Sequence, residues 1–394
     1  MKFLHLSDLH IGKQVNGFNM ADDQRFVLKN VLNVLQEHQV DALVLAGDIY
    51  DKTSPSEEAV AIFDWFVTEV AALGIPCLGI PGNHDSAERI AYAQGLLSKQ
   101  GLYLSPVFEG EVTCVTLADE LGPVNFWLLP FLRPIDVRRQ FPEAEIGNDY
   151  TAAVRTVLDA CHVDPTQRNV LLSHQFVTAT GTNTERADDE ISLGGVDNVD
   201  VSVFHAFDYV ALGHVHRAQR IGRDTVRYAG SLLKYNISEA RFAKTATLVE
   251  VQEKTPGQEA GECISFQLLP LVPLHDLRQI KGPLAALMDE EVVSAGDRED
   301  YIHAVLTDKD PQIDALARLR TAYPNVMALD YENRKSDEEA NAAAPVLEDV
   351  RQADPLELFD NFMADYYGLH LTNDQTQLVE QLLRESAEEI GETR

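Results

Sequence analysis

Cysteine is scarce in this chain. Four occur in 394 residues (Cys77, Cys114, Cys161 and Cys263), widely spaced and with no CxxC pair. That excludes a disulfide framework and a cysteine zinc site, and it fits a reducing cytosol. No apolar run approaches the ~18 residues of a membrane span. The opening MKFLHLSDLH meets charge too early for the apolar core of a secretory signal, so none is expected. Basic residues are the other deficit, with 32 Lys and Arg against 63 Asp and Glu, a formal net charge of −31. Duplex binding normally draws on Lys and Arg to displace counterions, so this balance counts against a simple basic DNA-binding domain. An acidic protein can still act on a polyanion through bound metal ions, a local basic patch or a basic partner. The plainer reading is that the acidity keeps the surface soluble. It is densest from Tyr331 to Arg394, where 5 basic residues face 16 acidic ones.

What is present is ordinary globular composition, 45% hydrophobic and 24% charged, in a length suited to two or three domains. The segments KFLHLS, DALVLAG and IPCLGIPGN read as short buried strands ending in polar residues or Gly. Between them, Asp22 to Gln36 and Glu57 to Leu73 carry apolar residues at helical spacing. This alternation predicts an α/β fold with parallel strands and helices packed on the sheet. Further strands are expected in VTCVTL, VNFWLLP, NVLLSH, DYVALGH, TVRYAG and TATLVEV, and no fixed-period repeat is visible. The polar, Pro- and Gly-containing stretch from Glu253 to Glu262 reads as a turn or linker, dividing a first domain (1–255) from a small α+β domain (262–333). A second, Ala-rich charged linker precedes a pair of helices (345–394). Asp354-Pro355 with Glu357 gives the first of these a cap and a capping-box acid. The second helix starts near Thr372, with Gln375 three positions on.

Five short pieces carry the chemistry. They are Asp8-x-His10, Gly47-Asp48-x-x-Asp51, Gly82-Asn83-His84-Asp85, His174, and Gly213-His214-x-His216. Each stands at the carboxyl end of an expected strand, where the loops of an α/β sheet converge on a ligand. Imidazole, carboxylate and one amide oxygen, without thiolate, suit Mn, Fe, Zn or Mg, with Mn or Fe favoured. Asp8, His10 and His216 would hold one divalent ion; Asn83, His174 and His214 would hold a second. Asp48 would bridge them, because a carboxylate has two oxygens to share. The single residue between Asp8 and His10 would place both on one side of an extended segment, and likewise His214 and His216. His84 completes neither set and is assigned to the substrate side, stabilising the transition state or protonating the leaving alkoxide, with Asp85 orienting its imidazole. Asp51 would support a ligand histidine or the turn. The other seven histidines (His5, His38, His162, His205, His275, His303 and His370) read as structural or exposed, with His5 packing beneath the site.

Together these pieces resemble the signature of the calcineurin-like metallophosphoesterases. LHLSDLHIGK, LVLAGDIYD, PGNHDS, PFLRP, LLSHQF, VALGHVHRAQ, YAGSLLKYNISEA and the late DPLELFDNF are similar to the SbcCD family of bacterial double-strand-break repair nucleases. The resemblance covers nearly the whole chain. It implies a β-sandwich flanked by helices, a small α+β capping domain and a C-terminal helical pair. It implies two divalent ions, most simply Mn2+, and supports the role given to His84. It further implies an ATP-dependent 3′ to 5′ double-strand exonuclease that also cuts single strands and hairpins. Such an enzyme would serve DNA repair, replication and recombination in the cytoplasm, associated with the nucleoid when on DNA. The partner would be an SbcC-type SMC-like ATPase, with a homodimer inside a heterotetramer.

Outside the metal set, Lys13, Gln14, Asn16, Arg133, Ser231, Lys234 and Tyr235 are candidates to touch DNA phosphates. Leu356, Phe359, Phe362, Met363, Tyr366 and Tyr367 form one apolar stripe, read as docking on the ATPase rather than on the chain itself. Two other functions remain to be weighed. One is a stand-alone phosphodiesterase or phosphatase on small nucleotides or phosphoproteins, which would not require the α+β unit or the tail. The other is a scaffold with a vestigial site, disfavoured because every proposed ligand and His84 are present.

Overall fold

The computed structural model describes residues 1–179 and 197–332, with scattered positions beyond them. The chain divides into two units, Met1–Arg278 and Gln279–Arg394. The first unit holds two six-stranded sheets. In one, Lys2–Leu6, Ala42–Ala46 and Cys77–Ile80 lie side by side and parallel. In the other, Gly122–Leu129, Arg168–Ser173 and Tyr209–Leu212 do the same. Nearly every residue of the central strands is buried, as expected of parallel strands covered on both faces. Their continuous apolar runs are the sequence trace of that double cover.

The inner faces of the two sheets make one core. Phe3, Val44 and Leu78 from the first sheet share a cluster with Phe126, Val170, Leu172 and Tyr209 from the second. Phe3 meets Phe126 and Tyr209 edge-on, with ring centroids 5.5 Å apart in both pairs. Helices Ala21–Glu37 and Glu57–Ala72 connect successive parallel strands of the first sheet, within a few residues of the expected bounds. Ser56 caps the second of these by accepting from Ala59 N, which satisfies one donor of its first turn. Helix Tyr150–Ala160 buries Val154, Val157 and Leu158 against Leu171, Val210 and Leu212, on the outer face of the second sheet.

The domain boundary differs from the one read in the sequence. Of the two readings of the polar segment 253–262, turn or linker, the structure has the turn: it connects two strands inside the first sheet. Strand Thr245–Val251 continues through it into Ile264–Pro270, and the two pair antiparallel over seven positions. The first unit therefore runs past 255 and 262 to Arg278. The second unit is α+β as expected: strands Tyr301–Leu306 and Val326–Tyr331 run parallel, and helix Ala315–Ala322 packs in the same core. Of the tail, Leu356, Phe359 and Met363 are helical. A capping box joins Thr372 to Gln375, with Thr372 N donating to Gln375 Oε1 at 2.9 Å. Phe362, Tyr366 and Tyr367 lie outside the described residues. No described helix is long and apolar enough to cross a membrane.

The Phe126 ring is fully buried between the sheets. Phe126→Ala is expected to cost about 3–5 kcal/mol of stability, seen as a lower denaturation midpoint by circular dichroism. A midpoint unchanged from the parent would contradict this packing.

Candidate metal centre

All five sequence pieces follow strands that end on the same side of their sheets, and they meet. The loops after Lys2–Leu6 and Ala42–Ala46 are zipped together beyond the strands. Asp8 N donates to Gly47 O at 3.0 Å, His10 N to Asp48 O at 3.0 Å and Ile11 N to Ile49 O at 2.9 Å. The backbone there is not extended, which corrects the reading of Asp8-x-His10 and His214-x-His216. Asp8, His10, Asp48 and His214 have positive φ, at 52°, 44°, 49° and 97°. Such conformations are uncommon outside Gly and cost of order 1–3 kcal/mol each where the surroundings impose them. The loop zipper holds Asp8, His10 and Asp48 in these turns, and His214 is held by donating its backbone N–H to Asp8 Oδ1 at 2.9 Å.

Two clusters overlap at the centre, one of Asp8, His10 and His216 and one of Asp8, Asp48 and His174, with ligand atoms within 4.8 Å inside each. The first is the set read from sequence. Asp48 Oδ2 lies 3.6 Å from His10 Nε2 and 3.2 Å from His174 Nε2, so it stands between the two groups. Asn83 and His214 join the His174 side: His214 Nδ1 is 2.9 Å from Asn83 Oδ1, and its ring meets His174 edge-on at 5.4 Å. A third group gathers His10, Asp51 and His84.

Glycine makes this crowding possible. A Cβ on Gly82 would collide with the carboxylate of Asp48, and one on Gly47 with the ring of His174. Gly47 also has a positive φ of 91°.

The electrostatics favour positive charge at the centre. His174 and Asp48 are both buried, and Ala46 O accepts from His174 Nδ1 at 2.7 Å. His174 Nε2 therefore faces a carboxylate oxygen. Burial alone would lower the His174 pKa, but the adjacent Asp48 charge outweighs it and pushes it up to about 9. Burial likewise opposes ionisation of Asp48, yet the neighbouring imidazoles hold its carboxyl well below the usual range. A positive charge belongs between them, either a second proton on His174 or a divalent ion in its place. On the other side, Glu239 Oε1 lies 3.3 Å from His216 Nδ1, which fixes the tautomer with the Nε2 lone pair facing inward. That lone pair points at His10 Nε2, 3.0 Å away. Placing the His10 proton on Nδ1, toward Asp51 at 3.6 Å, leaves two lone pairs facing one another, which a cation resolves. Burial keeps His10 well below its ordinary pKa, in the neutral form that binds metal. The residues therefore fit a pair of divalent ions.

Not every sequence assignment survives. Asp85 does not orient His84. Its carboxylate accepts from the backbone N–H groups of Ile49 (3.0 Å), Tyr50 (2.9 Å) and Gly82 (2.9 Å), tying the two ligand loops together. Burial and the nearby Asp48 charge raise its pKa to about 6. The partner of His84 Nδ1 is the carbonyl of Asp51, at 3.1 Å. Three of the DNA-contact candidates are also withdrawn. Ser231 and Tyr235 are buried, with Tyr235 donating to Leu9 O at 2.6 Å. Lys234 is spent on Asp276 at 2.7 Å and on the carbonyls of Ala240 and Leu277. Lys13 pairs with Asp51 at 3.1 Å. Gln14 and Asn16 are exposed on a two-stranded hairpin whose turn uses positive φ at Asn16 and Gly17. Arg133 is exposed and forms a capping box with Asp136. His5 packs beneath the site, its Nδ1 3.0 Å from Tyr209 Oη, with burial lowering its pKa to about 3.

Sequence reasoning missed Glu239 and Lys244. Lys244 Nζ reaches His216 O and Ser231 Oγ, both at 2.8 Å, and also bonds Glu239. This buried ion pair grips His216 by ring and by backbone. Its only sequence trace was the acid inside YAGSLLKYNISEA.

Residues 1–218 match the family model of the calcineurin-like phosphoesterases. The chain belongs to that family and is a divalent-metal-dependent phosphoesterase. Residues 273–367 match a second model, described as the type 5 capsule protein repressor C-terminal domain. Over 386 residues the chain is 29% identical to a Staphylococcus epidermidis protein named as the D subunit of nuclease SbcCD, covering 97% of this chain and 98% of that one. The resemblance read from the sequence is thereby met. Among solved structures, a dimetal phosphatase from Danio rerio aligns at 12% identity over 69% of this chain and 99% of its own, TM-score 0.40. A protein from Thermus thermophilus aligns at 15% identity over 68% of this chain and 98% of its own, TM-score 0.39.

Glu239→Gln is expected to weaken binding of Mn2+ by about 10–100-fold in a calorimetric titration, with the circular dichroism spectrum retained. Parent affinity in a folded variant would contradict the orienting role.

Proposed function

We propose that this chain is the nuclease subunit of a DNA repair complex, hydrolysing phosphodiesters with two metal ions, most simply Mn2+. The observation that carries the reading is the Asp48 carboxylate standing between two overlapping groups of candidate ligands, at 3.6 Å and 3.2 Å from His10 and His174. The full-length similarity to a protein named as the D subunit of nuclease SbcCD supports the substrate. Asp8, His10 and His216 would hold one ion, and Asn83, His174 and His214 the other, with Asp48 shared and Asp51 steadying His10. Divalent ions bound there would acidify a water and offset charge on the phosphoryl group.

The chain's own residues supply the rest. His84 is exposed beside Asn83, with its Nδ1 fixed on Asp51 O. Its other nitrogen is thereby turned outward, where it transfers a proton to the departing oxygen. Asp85 keeps the Asn83–His84 turn rigid by bonding three backbone donors. Cleavage would run 3′ to 5′ on duplex ends, with endonucleolytic cutting of single strands and hairpins. A homodimer would dock an SbcC-type ATPase through the stripe of Leu356, Phe359, Phe362, Met363, Tyr366 and Tyr367.

A second reading, a phosphodiesterase of small nucleotides, is favoured by one feature. A cavity of about 600 Å³ adjoins Asn83, walled by Phe108, Phe131, Arg133 and Arg139. It has room for a mononucleotide. An assay of the purified chain on a blunt duplex and on a nucleotide diester decides between the two. Cleavage of the diester alone would overturn the nuclease reading.

His84→Gln is expected to reduce duplex cleavage by about 100-fold or more while Mn2+ still binds. Loss of the metal instead would move His84 into the ligand set. Truncation after Pro345 is expected to abolish co-purification with the ATPase while metal-dependent phosphodiesterase activity persists. An intact complex would refute the docking role of the tail.

A further inference from the structure

The cavity of about 600 Å³ that adjoins Asn83 is fastened to the metal centre through its own wall. The segment 130–133 forms one side of it. Phe131 N donates to Pro81 O at 3.1 Å, just before Gly82 and Asn83. Leu132 O accepts from Gln175 Nε2 at 3.2 Å, one residue past His174. The Phe131 ring lies stacked against the His214 imidazole, with 15° between the planes and 6.4 Å between centroids. One half-buried phenyl ring is thus shared by a candidate ligand and by the cavity wall. A second half-buried ring, Phe108, lines the same cavity.

The charges on this wall are largely engaged with one another. Arg133 holds Asp136 through two bonds, at 2.9 Å and 3.1 Å. The Arg139 charge acts on the same carboxylate and helps keep it ionised. Glu88 accepts from Ser86 Oγ at 2.8 Å, and Asp85 is occupied by its three backbone donors. Opposite charges this close leave little net field for a second phosphate. Two phenyl rings and open volume suit a flat, neutral, polarisable body instead. Nucleobases are such bodies, and each has a π-face that stacks on an aromatic side chain. A phosphate at the centre with a flat body in the adjoining cavity describes one nucleotide. A base pair is too large for this space. A cube of the cavity's volume is about 8 Å on a side, whereas the major groove alone of a duplex is ~12 Å wide.

We propose that this cavity takes the unpaired nucleobase of the nucleotide whose phosphate meets the metal centre, with the base packed on Phe131 and Phe108. The inference rests on the proposed phosphodiester chemistry and names the part of the substrate that the centre itself does not read. Stacking separates a nucleotide from a bare sugar phosphate while tolerating any base, which is what a strand of arbitrary sequence demands.

The test is calorimetric titration of the full chain in Mn2+ with dAMP and with 2-deoxyribose 5-phosphate, which keeps the sugar and phosphate but has no base. The parent is expected to prefer dAMP by about 5–150-fold, the loss that follows removal of one base–aromatic stack. Equal affinities for the two overturn the base pocket. Phe131→Leu keeps an apolar side chain and removes the π-face, and it is expected to abolish most of the preference. A parent-like preference in the folded variant overturns the placement of the base. Should Phe131→Leu lose its thermal transition, Phe108→Leu on the same wall carries the test, with the same two outcomes. Incubation of the parent with Mn2+, a blunt duplex and a nucleotide diester separates this inference from the nuclease reading. Duplex cleavage without a preference for dAMP overturns the base pocket alone. A clear preference for dAMP in a chain that cleaves the diester and not the duplex overturns the nuclease reading and leaves the pocket standing. Absence of the preference and of all cleavage overturns both.

Discussion

The first unit is organised around one buried carboxylate that cannot stand alone. Asp48 lies under the surface between two imidazoles, and an ion there without a partner would cost several kcal/mol. Its charge draws positive charge onto His174, and the same field favours divalent ions at the edges of the site. Everything near it serves to keep that carboxylate in place. Gly82 leaves room for it, Asp85 fastens the loops on either side, and the N–H of His84 bonds its Oδ1 at 2.9 Å. The sandwich core beneath is rigid because two sheets interlock through Phe3, Phe126 and Tyr209. Rigidity at the strand ends is what lets short loops hold so many charges at hydrogen-bond distance.

The fold and the main constellation were legible for a physical reason. Parallel strands covered on both faces read as unbroken apolar runs, and their ends are marked by the switch to polar residues. Asp8, His10, Asp48, Asn83, His174, His214 and His216 all sit at such switches. The helices read equally well, because Ala21–Glu37 and Glu57–Ala72 present an apolar stripe at regular spacing. What was not legible depends on partners distant in sequence. Asp85 neighbours His84 in the chain, but its oxygens face backbone donors of Ile49 and Tyr50. Ser231, Lys234 and Tyr235 are polar residues of the kind found on surfaces, and only packing reveals that they are enclosed or engaged. The 253–262 stretch reads as turn or linker alike, because a connection between two antiparallel strands and a linker use the same residues, so only the domain bounds were misplaced. Glu239 and Lys244 carry no pattern, since their role exists only through contact with His216.

The acidic balance of the chain gains a spatial meaning from the same comparison. Composition alone counts against DNA, but composition averages over positions. Seven basic side chains stand between Gly213 and Lys244 against two acidic ones, in the segment that begins at the candidate ligands His214 and His216. Polyanion chemistry on an acidic protein needs only a local reversal of sign where the phosphate arrives, and divalent ions extend that reversal.

The left-handed turns at Asp8 and Asp48 bear on how this site can change over generations. Asn and Gly tolerate that backbone region, whereas β-branched residues do not. A duplicated copy freed from catalysis would therefore not drift at random at these two positions. It would pass through Asn or Gly first, so that a retired descendant would wear the polypeptide path of its ancestor long after its chemistry had gone.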